Sequence, residues 1–152
     1  MFMKYLPLLL FILALPLYGE KAAIYNSIEI DDQSGSSAVA YAAKALQRDF
    51  DLKFGTTISD RAPIQITLRL DPRSGVEPFD QFTRQIEPGR ITITGTGELG
   101  LIHGIYGFSE DVLGIDPFLY FTDIVPETTD AIEVAAGTVA SKPYTYAHRI
   151  FF

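Results

Sequence analysis

Between Ala62 and Leu70 every second residue is aliphatic. Ile64, Ile66, Leu68 and Leu70 alternate with Gln65, Thr67 and Arg69. This period of two predicts a half-buried strand with one wet face. Phe82–Ile86 reads as a second strand, and Arg90–Thr94 returns as Ile-Thr-Ile-Thr. Glu87-Pro88-Gly89-Arg90 joins them, with the Pro-Gly centre of a type II hairpin turn. Upstream, residues 22–31 (AAIYNSIEID) read as one strand carrying β-branched Ile24, Ile28 and Ile30.

The period then changes to that of a helix. Val39, Ala42, Ala43, Leu46 and Phe50 form an apolar stripe, with Lys44, Gln47, Arg48 and Asp51 on the other side. A helix is predicted over Ser37–Phe50, capped by Ser36 or Ser37 and stopped at Gly55. A second helix follows Gly97, carries Leu101, Ile102, Ile105, Tyr106, Phe108 and Val112, and ends at Gly114. Asp31–Ser37 is a turn-rich linker, and Asp71–Pro78 reads as a Pro/Gly loop. The predicted order is β-α-β-β-β-α. Hairpin-joined strands with helices on one face give an α+β two-layer sandwich: a small mixed or antiparallel sheet with two helices packed on one face.

Composition changes the picture at the N-terminus. Lys4 precedes an apolar run from Leu6 to Leu17 that Pro7 and Pro16 interrupt, and Gly19 stands before Glu20-Lys21. This is the build of a secretory signal peptide over residues 1–19. The run is shorter than the roughly 20 residues a membrane-spanning helix needs, so no stable membrane anchor is expected after cleavage. The chain has no cysteine, which excludes disulfides, zinc thiolate sites, cysteine nucleophiles and a lipoprotein anchor. A secreted or periplasmic location follows as the expectation. The net charge of −7 sets the surface against a phosphate backbone, so nucleic acid is not an expected partner.

The strand-to-helix turn Gly95-Thr96-Gly97-Glu98-Leu99-Gly100 fits the dinucleotide fingerprint, and Asp123 stands at ribose distance downstream. The surroundings do not fit. The preceding strand alternates Ile and Thr, whereas a central strand of a doubly wound sheet is apolar on both faces. It is also the return arm of a hairpin, and Glu98 would face the phosphates. The alternative is structural. Gly95 and Gly97 make the turn, while Gly100, Gly104 and Gly107 let the helix lie close on the sheet. Each helical glycine costs about 1 kcal/mol relative to alanine, so their number points to a packing requirement.

The stretch ITITGTGELGLIHGIYGFSEDVLGIDPFLYFTD resembles the non-catalytic N-terminal domain of xylan α-1,2-glucuronidases. That module, the β-hexosaminidase domain-2-like fold, also precedes the barrel in β-N-acetylhexosaminidases. The matching parts are the helix Gly100–Tyr106, the aromatic segment Pro117–Phe121, Asp123, and the earlier helix AVAYAAKALQRDF. The glucuronidases usually carry tryptophans in the aromatic segment; this chain has none and uses Phe118, Tyr120 and Phe121.

The resemblance implies that residues 20–142 form this α/β domain. It implies that residues 143–152 begin a linker or the first strand of a catalytic (β/α)₈ barrel. The catalytic carboxylates would come from that barrel, so no catalytic residue is expected in this chain. The implied function is the non-catalytic domain of a secreted glycoside hydrolase acting on plant or microbial polysaccharide, α-glucuronidase-like. The implied partner is its own catalytic barrel, with oligosaccharide as a further ligand. His148 and Arg149 fall at the barrel's mouth and Tyr120 in the aromatic run, which makes these three the substrate-contact candidates.

Other chemistry is sparse. Asp31-Asp32 and Glu110-Asp111 are adjacent in sequence and do not face each other across a cleft, as a glycosidase acid–base pair must. His103 and His148 are too far apart for metal-ligand spacing, so neither metal nor cofactor is expected. Ser27, Ser34, Ser36 and Ser37 lack a nucleophile-elbow context. The reading from a different class is a stand-alone carbohydrate-binding or surface interaction module.

Overall fold

A computed structural model describes residues 19–73, 80–122, 124 and 126–142. The signal segment before Gly19, part of the Asp71–Pro78 loop, Asp123 and the stretch 143–152 with His148 and Arg149 lie outside the described residues. The elements are β1 (Lys21–Ile24), β2 (Ile28–Asp32), α1 (Ser37–Phe54), β3 (Ile64–Leu70), β4 (Phe82–Glu87), β5 (Arg90–Gly95), α2 (Glu98–Asp111), α3 (Leu119–Thr122), β6 (Ile132–Ala135) and β7 (Gly137–Ala140).

The main sheet is mixed, in the order β2-β3-β5-β4-β7. β2, β3 and β5 run parallel, while β4 pairs antiparallel with both β5 and β7. α1 carries the chain between parallel neighbours β2 and β3, and the Pro88-Gly89 turn closes the β4–β5 hairpin. Gly89 has a φ of 73°, the left-handed value that the third position of a type II turn requires.

One face of the sheet presents Ile64, Ile66, Leu68, Ile86, Ile91 and Ile93, all buried beneath α1 and α2. The opposite face presents Gln65, Thr67, Arg69, Thr83, Gln85, Thr92 and Thr94, none of them buried. The architecture is therefore an α+β two-layer sandwich. The two helices join through stacked Phe50 and Phe108, whose ring centroids lie 6.1 Å apart.

The strand expected over residues 22–31 is two strands in two sheets. β1 leaves the main sheet and pairs antiparallel with β6. The break lies at Tyr25-Asn26-Ser27, where the Ser27 N–H donates to the Tyr25 carbonyl at 3.0 Å. Asn26 is buried, and its side-chain amide donates to Asp51 Oδ1 at 3.1 Å and to the Gly55 carbonyl. A buried amide must find partners, and these tie the crossover to the end of α1.

The first helix runs four residues beyond Phe50, to Phe54. Ser36 caps it by accepting from the Val39 N–H, and Gly55 follows at a φ of 81°. β6 and β7 are additional to the predicted order.

Candidate functional site

The Gly-rich turn puts its glycines against protein. A Cβ on Gly95 would lie 2.4 Å from the Leu101 backbone nitrogen, and one on Gly100 would lie 2.1 Å from the Gln81 carbonyl oxygen. On Gly104 it would meet Ile93 Cγ2 at 2.6 Å and Phe82 Cγ at 3.0 Å. At Gly107 the nearest atom is Phe82 Cζ at 3.6 Å, an ordinary contact. Gly97 is the N-cap of α2, with extended backbone at a φ of −160° that any residue adopts. The close approaches that exclude a side chain are thus made by Gln81, Leu101, Ile93 and Phe82. β5 also has an antiparallel neighbour, unlike the strand of a dinucleotide-binding unit.

Arg84 did not stand out in the sequence, although it shares the inward parity of Phe82 and Ile86. Its side chain is 5% exposed and points beneath α2. One nitrogen, Nη2, donates to Asp111 Oδ2 at 3.2 Å, and the guanidinium lies 5.9 Å from the Phe108 ring centroid. Nε and Nη1 have no hydrogen-bond partner among the described residues. Asp111 thus belongs to a structural pair with Arg84. Asp111→Ala should cost about 1–2 kcal/mol in urea unfolding, because it strips a buried cation of its carboxylate. Arg84→Met, which removes the charge and keeps the bulk, should cost less. An Asp111→Ala variant as stable as the parent would contradict this.

Asp31 and Asp32 also serve local structure. Asp32 Oδ1 accepts from the Ser34 N–H and Oγ at 2.9 and 2.6 Å, and Asp31 Oδ2 accepts from Gln33 at 2.6 Å. Asp71 is held below the usual carboxylate range by side-chain and backbone hydrogen bonds from Arg73, on an exposed turn. Among the described residues no group of three or more His, Asp or Glu side chains could hold a metal ion.

The candidate site lies on the helix layer. Asp116 Oδ1 accepts the Phe118 N–H at 2.7 Å and sets up the single turn of α3. This turn presents Phe118 and Phe121 at 63% and 86% exposure. Tyr120 is in the same turn, with a side chain outside the described part. Beside it, between α1 and α2, is a depression of ≈ 770 Å³. From α1 it is lined by Tyr41, Lys44, Arg48 and Asp49; from α2 by His103, Tyr106, Ser109 and Glu110. Asp116, Pro117 and Leu119 close the end toward α3. Asp49 is buried and accepts both Nε and Nη2 of Arg48, at 3.1 and 2.8 Å, through Oδ1. Tyr41 and Tyr106 are both exposed.

No protein-family model and no curated protein sequence matches the chain. Solved structures do match its fold. A family GH115 4-O-methyl-α-glucuronidase, BtGH115A, with specificity for decorated arabinogalactans, is similar over 80% of this chain at 17% identity and a TM-score of 0.62. The GH20 β-N-acetylhexosaminidase from Streptomyces coelicolor is similar over 85% of the chain at 21% identity and a TM-score of 0.57. A GH20 exo-β-N-acetylglucosaminidase from Vibrio harveyi matches over 81% at 14% identity and a TM-score of 0.50. The chain spans 18%, 24% and 17% of these proteins respectively, so the likeness is to a small domain within each of these glycoside hydrolases.

Proposed function

We propose that this chain is the non-catalytic α+β domain of a secreted glycoside hydrolase, docked by its helix layer against a catalytic (β/α)₈ barrel. The observation that carries the reading is the asymmetry of the two outer faces. The open face of the sheet is threonine, glutamine and arginine, which water solvates well. The helix side instead exposes Phe118, Phe121, Tyr41 and Tyr106. Large aromatic side chains gathered on one face of a small domain mark a surface that a partner covers. The recurrence of this fold as less than a quarter of larger glycoside hydrolases supports a barrel-bearing polypeptide as that partner. An α-glucuronidase-like action on plant or microbial polysaccharide is the finer form of the proposal. It rests on the resemblance of the Gly100–Tyr106 helix and the Pro117–Phe121 segment. His148 and Arg149 at the junction and Tyr120 in the aromatic run remain the proposed substrate contacts.

The purified chain should show no turnover of aryl-glycosides or of glucuronoxylan, because the acid–base carboxylates are assigned to the barrel. Turnover that survives repurification and disappears on a point substitution within this chain would refute that assignment. The tyrosines beside the depression favour a second reading, a carbohydrate-binding module, in which Tyr41 and Tyr106 would stack on sugar rings. Saturable binding of xylo-oligosaccharide that depends on these two residues would replace the docking reading.

A further inference from the structure

We propose that the outer edge of β7 is a seat for an extended strand of the polypeptide that docks on the helix side. The proposal rests on the docking reading and names one contact within it. β6 and β7 are one extended run that changes neighbours at Ala136-Gly137. Up to Ala135 it pairs with β1, and from Gly137 it pairs with β4. The hydrogen-bond phase fixes which groups point away from β4. The Ser141 N–H donates to the Phe82 carbonyl at 2.9 Å. Bonded and non-bonded pairs alternate along an antiparallel ladder, so Val139 bonds to Arg84 and Gly137 to Ile86. The N–H and C=O groups of Thr138 and Ala140 therefore point outward. Ala136 has the same phase, and its N–H donates to the Glu20 carbonyl at 2.8 Å. β1 thus fills one half of the outer edge. Thr138 and Ala140 line the other half, with no hydrogen-bond partner on that side among the described residues.

Two further observations say what fits there. Free sheet edges are normally guarded by charge, by proline or by a covering element. The opposite edge of the sheet, β2, carries Glu29, Asp31 and Asp32. β7 is Gly-Thr-Val-Ala, with neither a charge nor a proline. It accepts a neutral strand where β2 repels one. Val139 then sets the side chain. It shares the inward parity of Arg84 and faces the helix side, yet it is 50% exposed, because the helix layer leaves β7 uncovered. An added strand places one side chain opposite Val139, and an aliphatic one there completes the inner face. Thr138 and Ala140 together offer only their own two N–H and two C=O groups, so a free peptide binds weakly. A strand on the polypeptide already docked against this domain gains from its effective concentration.

The test is an NMR titration of the purified chain with the blocked peptide Ac-Ser-Thr-Val-Thr-Ser-NH2. Its valine can lie opposite Val139 and its threonines opposite Thr138 and Ala140. At millimolar concentration, saturable shifts are expected at the Thr138 and Ala140 amides, with hydrogen exchange there slowed severalfold. The same peptide N-methylated on both threonines should leave these amides unchanged, because the donors that reach the edge are gone. Aspartate in place of the valine should weaken the effect severalfold. Thr138→Pro should abolish it while the Val139 amide stays protected, since proline there removes an outward N–H and spares the ladder to β4. No response at Thr138 and Ala140, or an equal response to the N-methylated peptide, overturns the proposal. So does association of the Phe118→Ser/Phe121→Ser variant that Thr138→Pro abolishes, which would make a second copy the occupant. Failure of the docking reading itself is seen separately, in the behaviour of Phe118 and Phe121 described below.

Discussion

Gly104→Leu and Gly100→Ala are expected to destabilise the fold severely, whereas Gly107→Ala is expected to be neutral or stabilising. At Gly104 even a Cβ would lie 2.6 Å from Ile93 Cγ2, and Ile93 is fully buried beneath α2. A leucine there must lift the helix or push β5 aside, and overpacking of this kind costs about 1–3 kcal/mol or more. At Gly100 the obstacle is the Gln81 carbonyl oxygen, which no rotamer change can move away. That loop also receives the Thr96 N–H, so shifting it disturbs the entry to α2 as well.

Gly107 meets only Phe82 Cζ at 3.6 Å. There the usual helix preference of alanine over glycine, about 1 kcal/mol, is free to express itself. Small domains have a total stability of about 5–15 kcal/mol, so the first two changes should move a urea midpoint far more than assay error. A Gly104→Leu variant with the parent's midpoint would mean that α2 does not rest on β5 and β4 as described.

The second large effect concerns the helix-side surface. Phe121, at 86% exposure, is the most exposed large apolar side chain among the described residues, and Phe118 is 63% exposed three positions earlier. Across one helical turn the two lie on the same side and form a single apolar knob. With no partner to cover it, this knob should drive self-association of the chain and bind a hydrophobic dye. Phe118→Ser with Phe121→Ser should abolish most of both effects without lowering stability, because neither side chain belongs to the buried core.

Much of this architecture can be read in the residues themselves. The strict alternation of Ile64 to Leu70, the Ser36 cap, the Gly55 stop and the Pro88-Gly89 turn are local signals, and each appears in the structure where local chemistry puts it. The division of the first strand was not legible. Ala22, Ile24, Ile28 and Ile30 keep one parity across the break, so alternation continues through a change of sheet. What breaks the strand is Asn26, whose partners Asp51 and Gly55 are distant in sequence.

β6 and β7 were missed for a related reason. Their IEVA and GTVA segments are only four residues each and have no fully buried position, and GTVA is half glycine and alanine. They are strands because β1 and β4 offer them an edge. Arg84 could have been found, since it alternates with Phe82 and Ile86 on the inner face. A charged residue at such a position signals a buried partner, here Asp111. The depression between the helices brings α1 together with α2 and the Asp116–Leu119 turn, and no spacing along the chain announces it.

The most direct test of the docking account is a comparison of the parent chain with the Phe118→Ser/Phe121→Ser variant by analytical ultracentrifugation across a wide concentration range, with dye fluorescence read on the same samples. The account predicts concentration-dependent association and dye binding for the parent, and a monomeric, nearly dye-silent variant of equal stability. A parent that stays monomeric and dye-silent at the highest concentration would contradict it, because the aromatic face would then be an ordinary solvated surface rather than one built to be covered.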